Sequence, residues 1–164
     1  MNTAMNGGIS GGCQCGAVRY RAEALGRASI CHCRMCQKAF GSFFGPLVTA
    51  KGLVWTRGAP ATFASSNKIE RGFCAQCGTP LTYAENDNWG GDPEISIGSL
   101  DNPELAAPAI QVNPANKLSF FASLHTLPVR SGEDNEKAAT FMAGIVGRQH
   151  PDHDTENWPP ETDR

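Results

Sequence analysis

Seven cysteines fall in three short groups, and their spacing restricts this chain more than any other feature of the sequence. The groups are C-x-C at residues 13–15, C-x-C-x-x-C at residues 31–36 and C-x-x-C at residues 74–77. Thiolates bind soft and borderline metals strongly, and paired cysteines on hairpins are typical of zinc knuckles. An odd number of cysteines also leaves one thiol over from any complete set of disulfides. The spacing therefore favours metal binding over a disulfide framework.

The two outer groups predict one closed metal site. Cys13 and Cys15 form one short-range pair, and Cys74 and Cys77 form a second pair about sixty residues later. Four thiolates from two hairpins make the closed tetrahedral ligand set of structural zinc. The alternative is a set of buried or redox-active thiols, which does not explain the two matched spacings. We expect this site to hold together segments that are distant in sequence.

The middle group supplies three thiols, Cys31, Cys33 and Cys36. Side chains alternate along an extended strand, so Cys31 and Cys33 share a face, and the turn that follows brings Cys36 round to them. Zinc with three protein ligands and an open position is typical of catalytic sites. Two alternatives stay open: His32 or His125 could close the site, or two of the thiols could form a redox disulfide. His32 should point away from both neighbouring cysteines, which makes closure by this residue sterically unfavourable.

Composition and charge exclude several classes of protein. The chain carries 18 Gly and 11 Pro among 164 residues, which favours short strands joined by turns. Residues 1–130 contain 11 basic and 8 acidic side chains, and residues 131–164 contain 3 basic and 8 acidic ones. Neither part has the basic excess of a nucleic-acid binder. The sequence contains neither a membrane-spanning apolar run nor a signal peptide, so we expect a cytoplasmic protein with reduced thiols and without a membrane partner.

The pattern of apolar residues and turn formers predicts a mainly β domain over residues 7–130. A short helix is predicted at residues 34–40, directly after the middle cysteines, with Gly41 as its end. Strands are predicted at residues 17–21, 27–30, 43–49, 53–56, 62–64, 69–73 and 80–83, and from weaker patterns at residues 94–97, 110–112 and 118–121.

The end of the chain differs from this domain in composition. Residues 131–148 predict an amphipathic helix that packs on the domain or on a second copy, so a homodimer is one expectation. Residues 149–164 contain three prolines and several acids, and they predict a disordered tail. His150 and His153 lie in this tail, where we expect them to be solvated.

Three motifs in this sequence resemble those of the glutathione-dependent formaldehyde-activating enzyme family. They are GCQCGAVRY at residues 12–20, CHCRMCQK followed by GS at residues 31–42, and RGFCAQCGTPL at residues 71–81. The likeness spans about residues 9–128 and implies antiparallel sheets of the β-tent type with two zinc ions per chain. By position, it assigns a structural zinc to Cys13, Cys15, Cys74 and Cys77, and a catalytic zinc to Cys31, Cys33 and Cys36.

The resemblance also implies an activity, that of a carbon–sulfur lyase. Members join glutathione, a small thiol, and formaldehyde, a small aldehyde, to S-hydroxymethylglutathione. Glutathione carries two carboxylates and one ammonium, so cations are expected near the metal motifs, and Arg34, Lys38 and Arg71 are the candidates.

One strand departs from the family pattern. Members often have a histidine and an aromatic residue in the strand that matches residues 109–112, and a tryptophan near Phe120, whereas Ala109 and Gln111 stand in that strand here. The substrate therefore need not be the nominal one of the family. Two further functions stay open: a non-catalytic zinc module that binds a protein, and a thiol sensor that loses zinc on oxidation.

Overall fold

The structure of the protein is a computed structural model that describes residues 8–86 and 91–159. Residue 7, at the start of the predicted domain, and residues 160–164 of the predicted tail lie outside it. The described elements are β1 (Ile9–Gly12), β2 (Arg19–Ala22), β3 (Ala24–Cys31), α1 (Arg34–Phe40), β4 (Gly45–Lys51), β5 (Val54–Arg57), β6 (Ala61–Ala64), β7 (Ile69–Phe73), β8 (Pro80–Glu85), β9 (Glu94–Ser96), β10 (Ile110–Val112) and α2 (Gly132–Ala143), with 3-10 helices at Ile97–Ser99, Pro103–Ala106, Pro114–Asn116 and Ser119–Thr126.

The strands form two sheets, and the described chain is mainly β as predicted. One sheet has three strands in the order β1-β2-β5, and the other has seven in the order β10-β3-β4-β9-β8-β7-β6. Neighbouring strands pair antiparallel, apart from β10, which runs parallel to β3. The parallel pair sets Val112 opposite Cys31, at the end of β3 where the middle cysteines begin.

A single cluster of buried residues joins the two sheets. Tyr20 from the small sheet and Val48 and Ile95 from the large sheet are fully buried in it. The Tyr20 hydroxyl shares a hydrogen bond of 2.8 Å with the hydroxyl of Ser99, which satisfies its polar atom inside the core. Cys13 and Cys74 belong to the same cluster, so the outer cysteine groups lie at the edge of the hydrophobic core.

Two of the strand assignments differ from the sequence prediction. Strand β1 was not predicted, because its sequence ISGG is half glycine, a residue that is depleted in strands. Residues 118–121, predicted as a strand, enter the 3-10 helix Ser119–Thr126. Inside it, the hydroxyl groups of Ser123 and Thr126 donate to the carbonyls of Phe120 and Ser123, respectively. Such local bonds compete with sheet pairing and favour the turn.

Helix α1 lies at its predicted position, whereas α2 begins near its predicted start but ends at Ala143, five residues before the predicted end. Helix α1 ends at Gly41, which adopts the left-handed conformation with φ of 57° and closes the helix as predicted. Helix α2 leaves its described side chains half-buried or exposed, with Phe141 72% and Met142 62% exposed. The expected packing of α2 on the domain is therefore not formed, and the homodimer stays a prediction. Among the described residues, the helices are too short or too polar to cross a membrane.

The chain after α2 returns to the first cysteine hairpin. The backbone N–H of His150 donates to the carbonyl of Gln14 over 2.7 Å, and the His150 side chain is 5% exposed. Trp158 packs against the core cluster. The prediction of a solvated His150 is therefore wrong. Within residues 149–159, His150 is buried and Asp154, Thr155 and Trp158 are half-buried, because polar groups of the first hairpin, β2 and β5 bind them, while the other residues of this segment are exposed.

Candidate functional site

The outer cysteines come together as the spacing predicted. The sulfurs of Cys13, Cys15, Cys74 and Cys77 all lie within 4.8 Å of one another. The Sγ atom of Cys15 is 3.6 Å from that of Cys13 and 3.8 Å from that of Cys74. Zinc–sulfur bonds of about 2.3 Å in a tetrahedron place neighbouring sulfurs about 3.8 Å apart, so the ligand set fits zinc.

Thr79 connects the two hairpins of this four-cysteine site. Its hydroxyl accepts from the backbone N–H of Gln14 over 3.0 Å and lies 3.1 Å from the sulfur of Cys77. Burial raises the pKa of Cys15 to about 12. Burial acts in the same direction on Cys77, but hydrogen bonds from the side chain and backbone of Thr79 outweigh it and lower the pKa of Cys77 to about 6. These hydrogen bonds thus favour the thiolate form of Cys77, which is the form that binds a metal.

The middle cysteines also converge, on a different part of the fold. The sulfurs of Cys31, Cys33 and Cys36 lie within 4.8 Å of one another, where β3 ends and α1 begins. Cys33 is the N-cap of α1, and its sulfur accepts from the backbone N–H of Cys36. The helix approaches β4 closely because Gly45 has no side chain: a Cβ there would come within 2.8 Å of the Cβ of Cys36.

Among residues 8–86 and 91–159, no histidine, cysteine or carboxylate joins these three sulfurs as a fourth ligand. The ring of His32 is fully buried, and its Nε2 atom lies 3.0 Å from Oε1 of Gln111. His125 is exposed in the Ser119–Thr126 helix. The structure therefore does not support closure of the site by either histidine. Three convergent thiols are a ligand set that fits zinc with one open position.

Two side chains donate to sulfurs of this three-cysteine site. The Nδ2 atom of Asn113 donates to Cys31 over 3.4 Å, and the Nη2 atom of Arg71 donates to Cys36 over 3.2 Å. Burial tends to raise the pKa of Cys31, but the backbone of Cys33 and the Asn113 amide outweigh it, and the pKa is lowered. Burial raises the pKa of Cys36 to about 12, against the opposing effect of the Arg71 guanidinium.

The three cysteines open on a cavity of about 900 Å³. Its size lies in the range of small-molecule sites. The lining combines apolar, cationic, acidic and amide side chains, and includes Arg27, Leu47, Ser65, Ile69, Arg71, Tyr83, Glu94 and Asn113 as well as the three cysteines. Burial raises the pKa of Glu94, with the charge of Arg27 acting against this rise.

The structure separates the three cations that the sequence proposed for substrate binding. Arg71 is 3% exposed and lines the cavity beside the cysteines. Arg34 and Lys38 are exposed on α1 and lie outside the cavity lining, and the guanidinium of Arg34 donates to Gln37 of its own helix.

Sequence reasoning missed most of the other lining residues, among them Arg27, Tyr83, Glu94 and Asn113. A signal existed for Tyr83, since a hairpin closed by the C-x-x-C knuckle sets it opposite Arg71. Asn113 also follows a predicted strand, and its left-handed backbone, with φ of 54°, is one that asparagine adopts readily. Gln111, noted in the sequence as a departure, lies against His32 instead of in the cavity lining.

The chain is similar to a solved structure, and it matches a sequence model of one protein family. A crystal structure of a Rhodobacter sphaeroides protein is similar to this chain with a TM-score of 0.49 and 22% sequence identity, covering 63% of this chain and 99% of that one. The sequence model of the glutathione-dependent formaldehyde-activating enzymes matches residues 8–115, well over half of the chain and all seven cysteines. The chain therefore belongs to the glutathione-dependent formaldehyde-activating enzyme family.

Proposed function

We propose that this protein is a zinc-dependent carbon–sulfur lyase that joins glutathione and formaldehyde to S-hydroxymethylglutathione and catalyses the reverse cleavage. The observation that carries the proposal is the three-cysteine site: three convergent thiols, without a fourth ligand among the described residues, open on a cavity of ligand size. Membership of the family supports the choice of thiol and aldehyde.

In this proposal the two cysteine sites have different roles. Cys13, Cys15, Cys74 and Cys77 hold a structural zinc, while Cys31, Cys33 and Cys36 hold a catalytic one, giving two zinc ions per chain. A zinc ion with an open position lowers the pKa of a thiol that binds there and keeps it as thiolate near neutral pH. The protein holds the three sulfurs together on one side of the open coordination position, and the cavity lies on the other side.

Charged side chains of the cavity would position glutathione. Arg27 is exposed and lines the cavity, where its guanidinium suits a carboxylate of the tripeptide. Glu94 lies near Arg27, half-buried on the same wall, and suits the ammonium group. Arg34 and Lys38, the sequence-based candidates, stay proposals for contacts outside the cavity lining.

The chemical step forms a bond between the glutathione sulfur and the formaldehyde carbon. The π electrons of the carbonyl move to its oxygen, which takes up a proton, and the thiol proton leaves to solvent. Arg71 and Tyr83 lie on the cavity wall beside the cysteines, and the guanidinium carbon of Arg71 is 4.9 Å from the centroid of the Tyr83 ring. Burial is the main cause that raises the pKa of Tyr83, so its hydroxyl remains a donor to the developing alkoxide.

The test is a rate measurement, because glutathione and formaldehyde also combine without a catalyst. Exchange between free and glutathione-bound formaldehyde is followed by ¹³C NMR with zinc-loaded protein. We expect the wild-type protein to accelerate the exchange above the uncatalysed rate. Cys33→Ser should lose this acceleration, whereas Lys51→Gln, which changes an exposed side chain, should keep it. Exchange at the uncatalysed rate with fully loaded protein would contradict the proposal and favour a non-catalytic zinc module.

A further inference from the structure

Arg71 is a buried cation without a carboxylate partner in the part of the chain that the structure describes. It is 3% exposed, and the ion pairs of the described residues involve only Arg19 and Arg21. Placing an unpaired charge in a protein interior is costly, so a buried guanidinium needs a compensating negative charge nearby. The charge must then come from a group other than a described aspartate or glutamate.

The contacts of Arg71 identify that group. Its Nη2 atom donates to the sulfur of Cys36, and its Nε atom donates to Oγ of Ser65 over 3.0 Å. Its guanidinium also faces the ring of Tyr83. Ser65 and Tyr83 hold the guanidinium in place, but both are neutral. Cys36 is thus the one contact of these three that can carry a full negative charge.

We propose that Arg71 is a positioning residue that compensates the charge of the three-cysteine metal site through its contact with Cys36. This inference rests on the proposed catalytic zinc. Three thiolates around a divalent zinc ion leave a net charge of −1, and one guanidinium neutralises it. Without that cation, the site would have to keep a net negative charge inside the protein.

The third guanidinium nitrogen of Arg71, Nη1, differs from the other two. Nη1 of Arg71 is buried and has no hydrogen-bond partner among the described residues. An unsatisfied buried donor is energetically unfavourable. Nη2 and Nε keep their contacts with Cys36 and Ser65 at the same time, which fixes the plane of the guanidinium beside the cavity. Lysine could replace the charge but not both contacts at once.

The test measures metal binding, independently of turnover. Protein whose four-cysteine site holds zinc is titrated with cobalt(II), and the thiolate-to-cobalt charge-transfer band reports on the three-cysteine site. For Arg71→Met we expect cobalt affinity to fall about 10- to 100-fold, the effect typical of losing a partner of a metal ligand. The band should also move to lower energy, because a sulfur without its donor is more electron-rich. Arg71→Lys should recover part of the affinity.

Matched controls keep the outcomes separate. Arg130→Met removes an exposed arginine and should leave both affinity and band unchanged. Wild-type affinity and an unshifted band in folded Arg71→Met would overturn the role of Arg71 alone. If Arg71→Met does not fold, Arg71→Gln takes its place, because it also removes the charge but keeps a polar side chain. Wild-type affinity and an unshifted band in folded Arg71→Gln would overturn the role of Arg71 equally. A wild-type protein that takes up one metal equivalent would overturn the catalytic zinc and this inference together.

Discussion

Trp158 donates its indole N–H to the backbone carbonyl of Cys15, a residue of the four-cysteine site that lies 143 positions earlier. Asp154, in the same returning segment, forms ion pairs of 2.8 Å with both Arg19 and Arg21 of β2. The family match ends at residue 115, so these contacts come from a part of the chain beyond the family domain. The segment that contains Asp154 and Trp158 therefore helps to hold the first cysteine hairpin and β2 in place.

The indole of Trp158 should contribute measurably to stability. We expect Trp158→Phe to lower the free energy of unfolding by about 1 kcal/mol, because one hydrogen bond is lost. Trp158→Ala should lower it by about 2 kcal/mol or more, because packing on the core is lost as well. Urea unfolding of zinc-loaded protein measures both. Glu156→Gln, which changes an exposed side chain in the same segment, serves as the control. Equal urea midpoints for all variants would show that the contacts of Trp158 do not contribute to stability.

The docking of His150 should depend on pH. Burial is the main cause that lowers the pKa of His150, and the nearby guanidinium groups of Arg19 and Arg57 act in the same direction. The folded protein thus binds fewer protons than the unfolded chain below the ordinary histidine pKa of about 6.5. The stabilising effect is complete above pH ~6.5 and decreases as the pH falls through and below that value.

A comparison of two variants isolates this effect. Unfolding free energies at pH 7.5 and pH 5.5 should differ more for the wild type than for His150→Gln, which cannot take up the proton. Protonation of the cysteine ligands affects both proteins alike and cancels in the comparison. An identical pH dependence in the two proteins would exclude His150 as the titrating group.

The two cysteine sites should respond differently to loss of one ligand. Cys33→Ser should lose one metal equivalent and leave the fold intact, because the three-cysteine site uses residues close together in sequence. Cys77→Ser should unfold the domain, because the four-cysteine site joins hairpins about sixty residues apart and structural zinc contributes directly to folding. Elemental analysis and circular dichroism distinguish these outcomes. If both variants lost metal and structure to the same extent, the division into two kinds of site would be wrong.

Arg27 should affect substrate binding more than the arginine and lysine of α1. We expect Arg27→Gln to raise the KM for glutathione about 2- to 5-fold with little change in kcat, since an exposed ion pair contributes up to about 1 kcal/mol. Lys38→Gln and Arg34→Gln should have smaller effects, because those side chains lie outside the cavity lining. A larger rise in KM for Lys38→Gln than for Arg27→Gln would restore the assignment made from the sequence.

The metal ligands of the site could be predicted from local sequence. The spacing of the cysteines predicted two groups, and the structure brings together the same four and the same three sulfurs. Short spacing between ligands limits their geometry whatever the rest of the chain does. Helix α1 and Gly41 were predictable for the same reason, since a helix end depends on a few neighbouring residues.

The surroundings of the metal ligands depend on pairing between distant strands. Arg71 lies opposite Tyr83 because β7 and β8 pair in one register, and Asn113 reaches Cys31 because β10 runs parallel to β3. A shift of one residue would turn either side chain to the other face. The sequence by itself thus determined which sulfurs bind together. Only the tertiary structure decided which cation lies beside them, and that the acidic end of the chain packs on the first hairpin, since both are long-range contacts that composition and spacing do not encode.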